Sequence, residues 1–124
     1  MASDIFGKTD CFLPVVTKQY SFVIPTRDII LIEKSEGRVR IVTEKGDIFT
    51  YQSMKQLAGI LESREDFDIC HSYLIINFSH VLRMQNGYIR FDNKESRYLG
   101  ERSFSKTRKK FNEYILTKAI RLRR

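Results

Sequence analysis

The dipeptide Asn86-Gly87, set between the strand-like runs Val81–Gln85 and Tyr88–Asp92, constrains the fold of this chain more tightly than any other feature. A two-residue hairpin needs residues that tolerate positive φ, because only such a turn matches the twist of the strands it joins. Similar punctuation recurs upstream. Ser35-Glu36-Gly37 separates Ile29–Glu33 from Arg38–Thr43, and Glu44-Lys45-Gly46 separates that run from Asp47–Tyr51. Residues 29–51 therefore predict a three-stranded meander. Arg38 and Arg40 alternate with Val39 and Ile41, as on a strand with one wet face. Cys11–Val16, Tyr20–Ile24, Phe67–Cys70, Tyr73–Ile76 and Arg97–Leu99 read as further short strands. Thr26-Arg27-Asp28 predicts one helical turn, and Asn77 predicts a cap for a turn over Phe78-Ser79-His80.

Two segments leave the strand period. Ser53 followed by Gln56 has the spacing of a capping box, and Met54, Leu57, Ile60 and Leu61 repeat as one apolar helix face. Ser103 or Ser105 is expected to cap a final helix. Its apolar side is Phe104, Phe111, Ile115, Ala119 and Leu122, with Arg108, Lys109 and Lys110 outside. The expected architecture is mainly β with two helices: about nine short strands in small antiparallel sheets, one mid-chain helix and one C-terminal helix. Strands do not alternate with long helices, so a doubly wound fold is excluded. Residues 1–124 predict a single domain, with a core over 12–116 and a basic end over 117–124.

The net charge of +7 is unevenly spread. Met1–Ser79 carries 9 basic and 11 acidic residues, whereas His80–Arg124 carries 13 and 4. A basic half raises the prospect of a polyanionic partner, since Lys and Arg displace the counterions of phosphates. No nucleophile elbow, phosphate loop, zinc-protease helix or dinucleotide fingerprint occurs, so an enzyme is not expected. Cys11 and Cys70 make a poor disulfide framework. Neighbours on a strand diverge, so Cys70 and His71 form neither a dyad nor a metal pair. No metal or cofactor is expected. No apolar run reaches membrane-spanning length and no leader is visible, so the expectation is a cytoplasmic setting without membrane contact.

Three segments, in order, resemble the LytTR-type DNA-binding domain: PTRDIILIEKSEGRVRIVTEKGDIFTYQSMKQL, FDICHSYLIIN and GYIRFDNKESRYLGERSFSKTRKKF. The resemblance spans roughly Phe12 to Ile115. It implies an elongated set of small β-sheets packed with helices, acting as a transcriptional regulator of the response-regulator kind. It also implies sequence-specific binding of double-stranded DNA by loops in the major groove. Carried over by position, base contacts fall on Arg38, Ser72 and Arg102. Backbone contacts fall on Lys34, His71, Arg97, Lys106, Arg108, Lys109 and Lys110. The implied partner is paired DNA repeats bound by a homodimer. A sensor kinase is implied only if a receiver domain outside this chain is fused to it.

Ile69, Ser72 and Glu101 depart from that family's usual basic or small polar residues. They favour the alternative, a protein-interaction module that kept the fold and lost specific DNA contact. A second alternative is a single-strand binder stacking bases on Tyr88, Phe91 and Tyr98.

Overall fold

A computed structural model describes residues 11–122, with side chains described through Lys118. Ten strands and two helices follow one another: β1 (Phe12–Val16), β2 (Ser21–Pro25), β3 (Ile29–Ser35), β4 (Arg38–Thr43), β5 (Gly46–Thr50), α1 (Met54–Leu61), β6 (Phe67–His71), β7 (Leu74–Asn77), β8 (Val81–Gln85), β9 (Tyr88–Phe91), β10 (Ser96–Tyr98) and α2 (Glu101–Leu122). The mainly antiparallel, two-helix reading of the sequence holds, and a strand lies on each of the ten runs named from the sequence. Single 3-10 turns occupy Thr26–Asp28 and Phe78–His80.

The centre is a five-stranded antiparallel sheet in the order β5-β4-β3-β7-β6. Its apolar central strand explains the layering. Ile29, Ile30, Leu31 and Ile32 are all fully buried, so both faces of β3 must be covered. On one face Ile29, Ile32, Val39, Ile41 and Ile75 meet Leu57 and Leu61 of α1 and Leu13 and Val15 of the β1–β2 hairpin. On the other, Leu31, Val42, Leu74 and Ile76 meet Ile89 and Phe91 of the β8–β9–β10 sheet and Phe111 of α2. A bulge between Ile29 and Leu31 breaks the alternation, so Ile30 and Leu31 both enter the second core. Each such side chain removed from water contributes about 1.5–3 kcal/mol.

The capping box on α1 is present as expected, with Ser53 Oγ accepting from Gln56 N–H and Gln56 Oε1 from Ser53 N–H. Ile60, placed on the apolar face from the sequence, is 42% exposed. It lies about 100° from the line through Met54, Leu57 and Leu61, off the buried arc. The final helix also differs from expectation. It starts at Glu101, and Phe104 N–H donates to Gly100 O at 2.8 Å, so Ser103 and Ser105 lie inside the helix. Leu99 is held to Gly87 by a 2.7 Å backbone bond and Glu101 favours the positive helix start, which together fix the earlier beginning. Ile115, expected on the apolar side, is largely exposed. Ala119 and Leu122 fall outside the described side chains.

Asn77 and His80 join the two halves of this framework. The fully buried Asn77 amide donates to Ile29 O at 2.8 Å and Thr26 O at 3.3 Å, and its carbonyl accepts from Ser79 N–H and Oγ–H. His80 faces two acceptors, Asp92 Oδ2 at 2.8 Å and Arg27 O at 2.6 Å.

Candidate nucleic-acid interface

Hairpin topology brings two of the three proposed reading positions together. β3 and β7 are antiparallel neighbours with Glu33 opposite Leu74, so the turn after β3 and the turn before β7 share one end of the sheet. Lys34 N–H donates to Tyr73 O at 3.1 Å, which makes those turns direct neighbours. The third position, at the β10–α2 junction, is tied to the same end through Arg97. Its guanidinium donates twice to Glu33, at 2.8 and 2.7 Å, just before the β3–β4 turn.

At the first turn Glu36 and Gly37 both have positive φ, 53° and 75°. That is the backbone twist a two-residue hairpin requires. Arg38 is exposed and its guanidinium carbon sits 3.7 Å from the centre of the Phe49 ring. Stacking orients the guanidinium plane while leaving its N–H edge open, and an exposed contact of this kind contributes about 0.5–1 kcal/mol. Lys34, paired with Val39, is exposed on the other face of the same hairpin.

At the second turn Ser72 and His71 are exposed. The His71 Nδ1 accepts from Tyr73 N–H at 3.1 Å. A neutral ring so held carries its proton on Nε2, which makes that nitrogen a donor. A bulge in β6 at Cys70 turns Cys70 into the second core and leaves His71 outside. Burial first, and the nearby Asp68 carboxylate second, push the Cys70 thiol up to about 12. The thiol is the unreactive form at ordinary pH. In a Cys11→Ser protein, a disulfide reagent at pH 8 is therefore expected to leave Cys70 unmodified until denaturant unfolds the chain. Rapid labelling of the native protein would contradict the burial.

At the third position Arg102 lies exposed in the first turn of α2. Helical spacing puts Arg102, Lys106 and Lys109 on one stripe, opposite the buried Thr107 and Phe111. Arg108 and Lys110 flank it, both exposed. Thr107 Oγ1 donates to the buried Asp68 at 2.8 Å and Lys110 Nζ reaches it at 3.1 Å. These bonds fasten α2 to β6, and Lys110 already has a carboxylate partner.

Arg97 is also engaged. Glu33 receives both Arg97 and Arg40, Arg97 reaches Glu95 at 2.8 Å, and Arg40 reaches Asp47 at 2.7 Å. Hydrogen bonds from Arg97, with those from Arg40, outweigh burial and hold the Glu33 carboxyl below its ordinary range, while Glu33 raises Arg97. A depressed carboxyl contributes stability above its unfolded value and loses it as pH falls through the folded one. Glu33→Gln is therefore expected to be less stable than the parent at pH 7, the gap closing below the ordinary value of 4.5. Chemical denaturation across pH 3–7 measures it. A gap unchanged at acid pH would contradict the assignment.

Sequence reading missed Asp68 and the double use of Glu33. The available signal was an acid embedded in an apolar strand, as in FDIC, since such a carboxylate must find buried donors. Among the described residues, no cluster of metal-ligating side chains occurs and no helix is long and apolar enough to cross a membrane.

Residues 19–112 match the LytTr DNA-binding domain family. Among solved structures, the chain is similar to the LytTr DNA-binding domain of a Bacillus cereus protein described as a methyl-accepting/DNA response regulator. The TM-score is 0.68 at 17% identity, covering 80% of this chain and 94% of that one. No curated protein matches the sequence.

Proposed function

Because this chain belongs to the LytTR family of DNA-binding domains, we propose that it regulates transcription by reading double-stranded DNA in a sequence-specific way through loops in the major groove. DNA is the partner that membership supplies, and the family is not one of enzymes. The observation that supports the finer assignment is the pairing of the turns at Arg38 and Ser72 through the Lys34–Tyr73 bond, with the Arg97–Glu33 pair tying the strand that leads to Arg102 to the same end of the sheet.

Arg102 carries most of the discrimination in this proposal. An exposed arginine fork suits guanine O6 and N7, the commonest specific contact in the major groove. Ser72 contributes one weaker hydroxyl bond, and Arg38 reads from its Phe49 platform. Lys34, His71, Lys106, Arg108 and Lys109 position the duplex through phosphates without specifying sequence. Arg97 and Lys110 act mainly as buttresses, their charge already directed to Glu33, Glu95 and Asp68. Glu101, which departs from the family's usual residue, suits its place at the positive start of the helix. Binding of paired repeats by two copies, and control by a receiver domain elsewhere, complete the proposal.

Selection of bound duplexes from a random pool tests it. The expected outcome is enrichment of a repeated short motif at a fixed spacing. A protein-interaction module would enrich nothing at low salt.

A further inference from the structure

The outward face of the β8–β9–β10 sheet is laid out as a grid. Register places Arg83 opposite Arg90 and Arg90 opposite Ser96, and places Gln85 opposite Tyr88 and Tyr88 opposite Tyr98. All six side chains belong to residues that are exposed or, for this face, turned away from the buried Ile89 and Phe91. No acid stands among them. Two arginines directly across a strand pair repel one another and weaken the sheet. Neither has a carboxylate partner among the described residues.

Beside the arginines lies an aromatic surface. Tyr88 and Tyr98 are 54% and 61% exposed, and their rings meet edge to face at 5.0 Å. Gly87 permits that pair. A Cβ there would come within 2.7 Å of the Tyr98 ring, and its φ of +86° suits glycine. Arg83, Gln85, Asn86, Tyr88, Arg90 and Ser96 line an open hollow of about 330 Å³. Phe91, by contrast, is fully buried and offers no stacking surface.

We propose that this hollow binds a nucleotide unit whose base is unpaired, the phosphate between Arg83 and Arg90 and the base against the Tyr88–Tyr98 pair. Two facing guanidiniums supply the charge-assisted bonds a phosphate oxygen accepts. An exposed tyrosine face stacks any base that is not already stacked in a duplex. Gln85, Asn86 and Ser96 supply amide and hydroxyl groups around the base and sugar. A base-paired duplex cannot stack on the aromatic half, so the ligand of this surface differs from the duplex read by Arg102 in the proposed function. The nucleotide comes either free or as part of a single strand, and the chemistry of recognition is the same.

Calorimetric titrations with AMP, adenosine, inorganic phosphate and a four-nucleotide single strand test the proposal. AMP is expected to bind at least about tenfold more tightly than adenosine or phosphate, because each of those reaches only half of the site. Arg83→Gln with Arg90→Gln should weaken AMP by about tenfold or more. Tyr98→Ala should weaken AMP by about the tenfold of one base–aromatic stack and leave phosphate binding unchanged. The arginine variants lie on an exposed face, so they report even if Tyr98→Ala folds poorly. A strand that binds about tenfold above AMP identifies nucleic acid as the source, and equal affinity identifies a free nucleotide. AMP binding no stronger than phosphate, or indifferent to both arginines, overturns the proposal. Arg102→Ala is expected to leave AMP affinity untouched, so failure of this site and failure of the duplex reading are separable.

Discussion

Asn77→Ala is expected to lower the free energy of unfolding by about 2–4 kcal/mol, among the largest effects of any polar substitution in the chain. The Asn77 side chain is fully buried and spends every donor and acceptor it has. Alanine leaves the carbonyls of Ile29 and Thr26 without those amide protons and the Ser79 N–H without its acceptor. Each buried group left unpaired costs about 1–3 kcal/mol, though neighbours relax and the sum is smaller than the parts. A domain of this size then melts about 10 °C lower. Ser79→Ala removes one hydroxyl donor at the exposed end of the network and is expected to cost about 1 kcal/mol. Thermal unfolding of the two variants, side by side, checks the ordering. Equal small losses would mean that Asn77 does not pin β7 to the start of β3. Asn77 sits at the opposite end of β7 from the Ser72 turn, so the residual folded protein should keep its sequence preference.

Arg102→Ala is expected to reduce affinity for the selected duplex by about 1–3 kcal/mol and to relax preference at one base pair. Arg102 is exposed and has no ion pair among the described residues, so the substitution should leave stability nearly unchanged. Lys109→Ala removes a phosphate contact from the same stripe of α2. It is expected to weaken every duplex alike and to lower the salt slope by about one. The pair separates reading from positioning because both residues share one helix face and differ in the role assigned to them.

Much of the fold was legible because its signals are local. Asn86-Gly87 and Glu36-Gly37 adopt the paired positive φ values that tight hairpins demand, and Ser53 with Gln56 closes its capping box. Asn77 caps the turn that its position at the end of LIIN announced. What escaped sequence reading depends on contacts distant in the chain. Glu33 meets Arg97 across 64 positions and Asp68 meets Thr107 across 39, which no periodicity encodes. The start of α2 was misjudged because Leu99 is bonded to Gly87 of the neighbouring turn and Gly100 O accepts from Phe104 N–H, which made a serine cap unnecessary. Ile60 and Ile115 show the limit of apolar periodicity, since both fit a helical repeat and both remain exposed. For the site, the order and spacing of the motifs supplied the proposal of three reading positions. Only the folded chain revealed which of its basic residues are already engaged, as Arg97 and Lys110 are with carboxylates and Arg38 with Phe49.

Competition between duplexes separates sequence reading by Arg102 from positioning by the rest of α2. The affinity ratio between the selected duplex and a shuffled duplex is measured at one salt concentration for the parent, Arg102→Ala and Lys109→Ala. Lys109→Ala is expected to keep the parent's ratio, and Arg102→Ala to lose about tenfold or more of it. An Arg102→Ala protein that binds more weakly with the ratio intact would contradict sequence reading by Arg102.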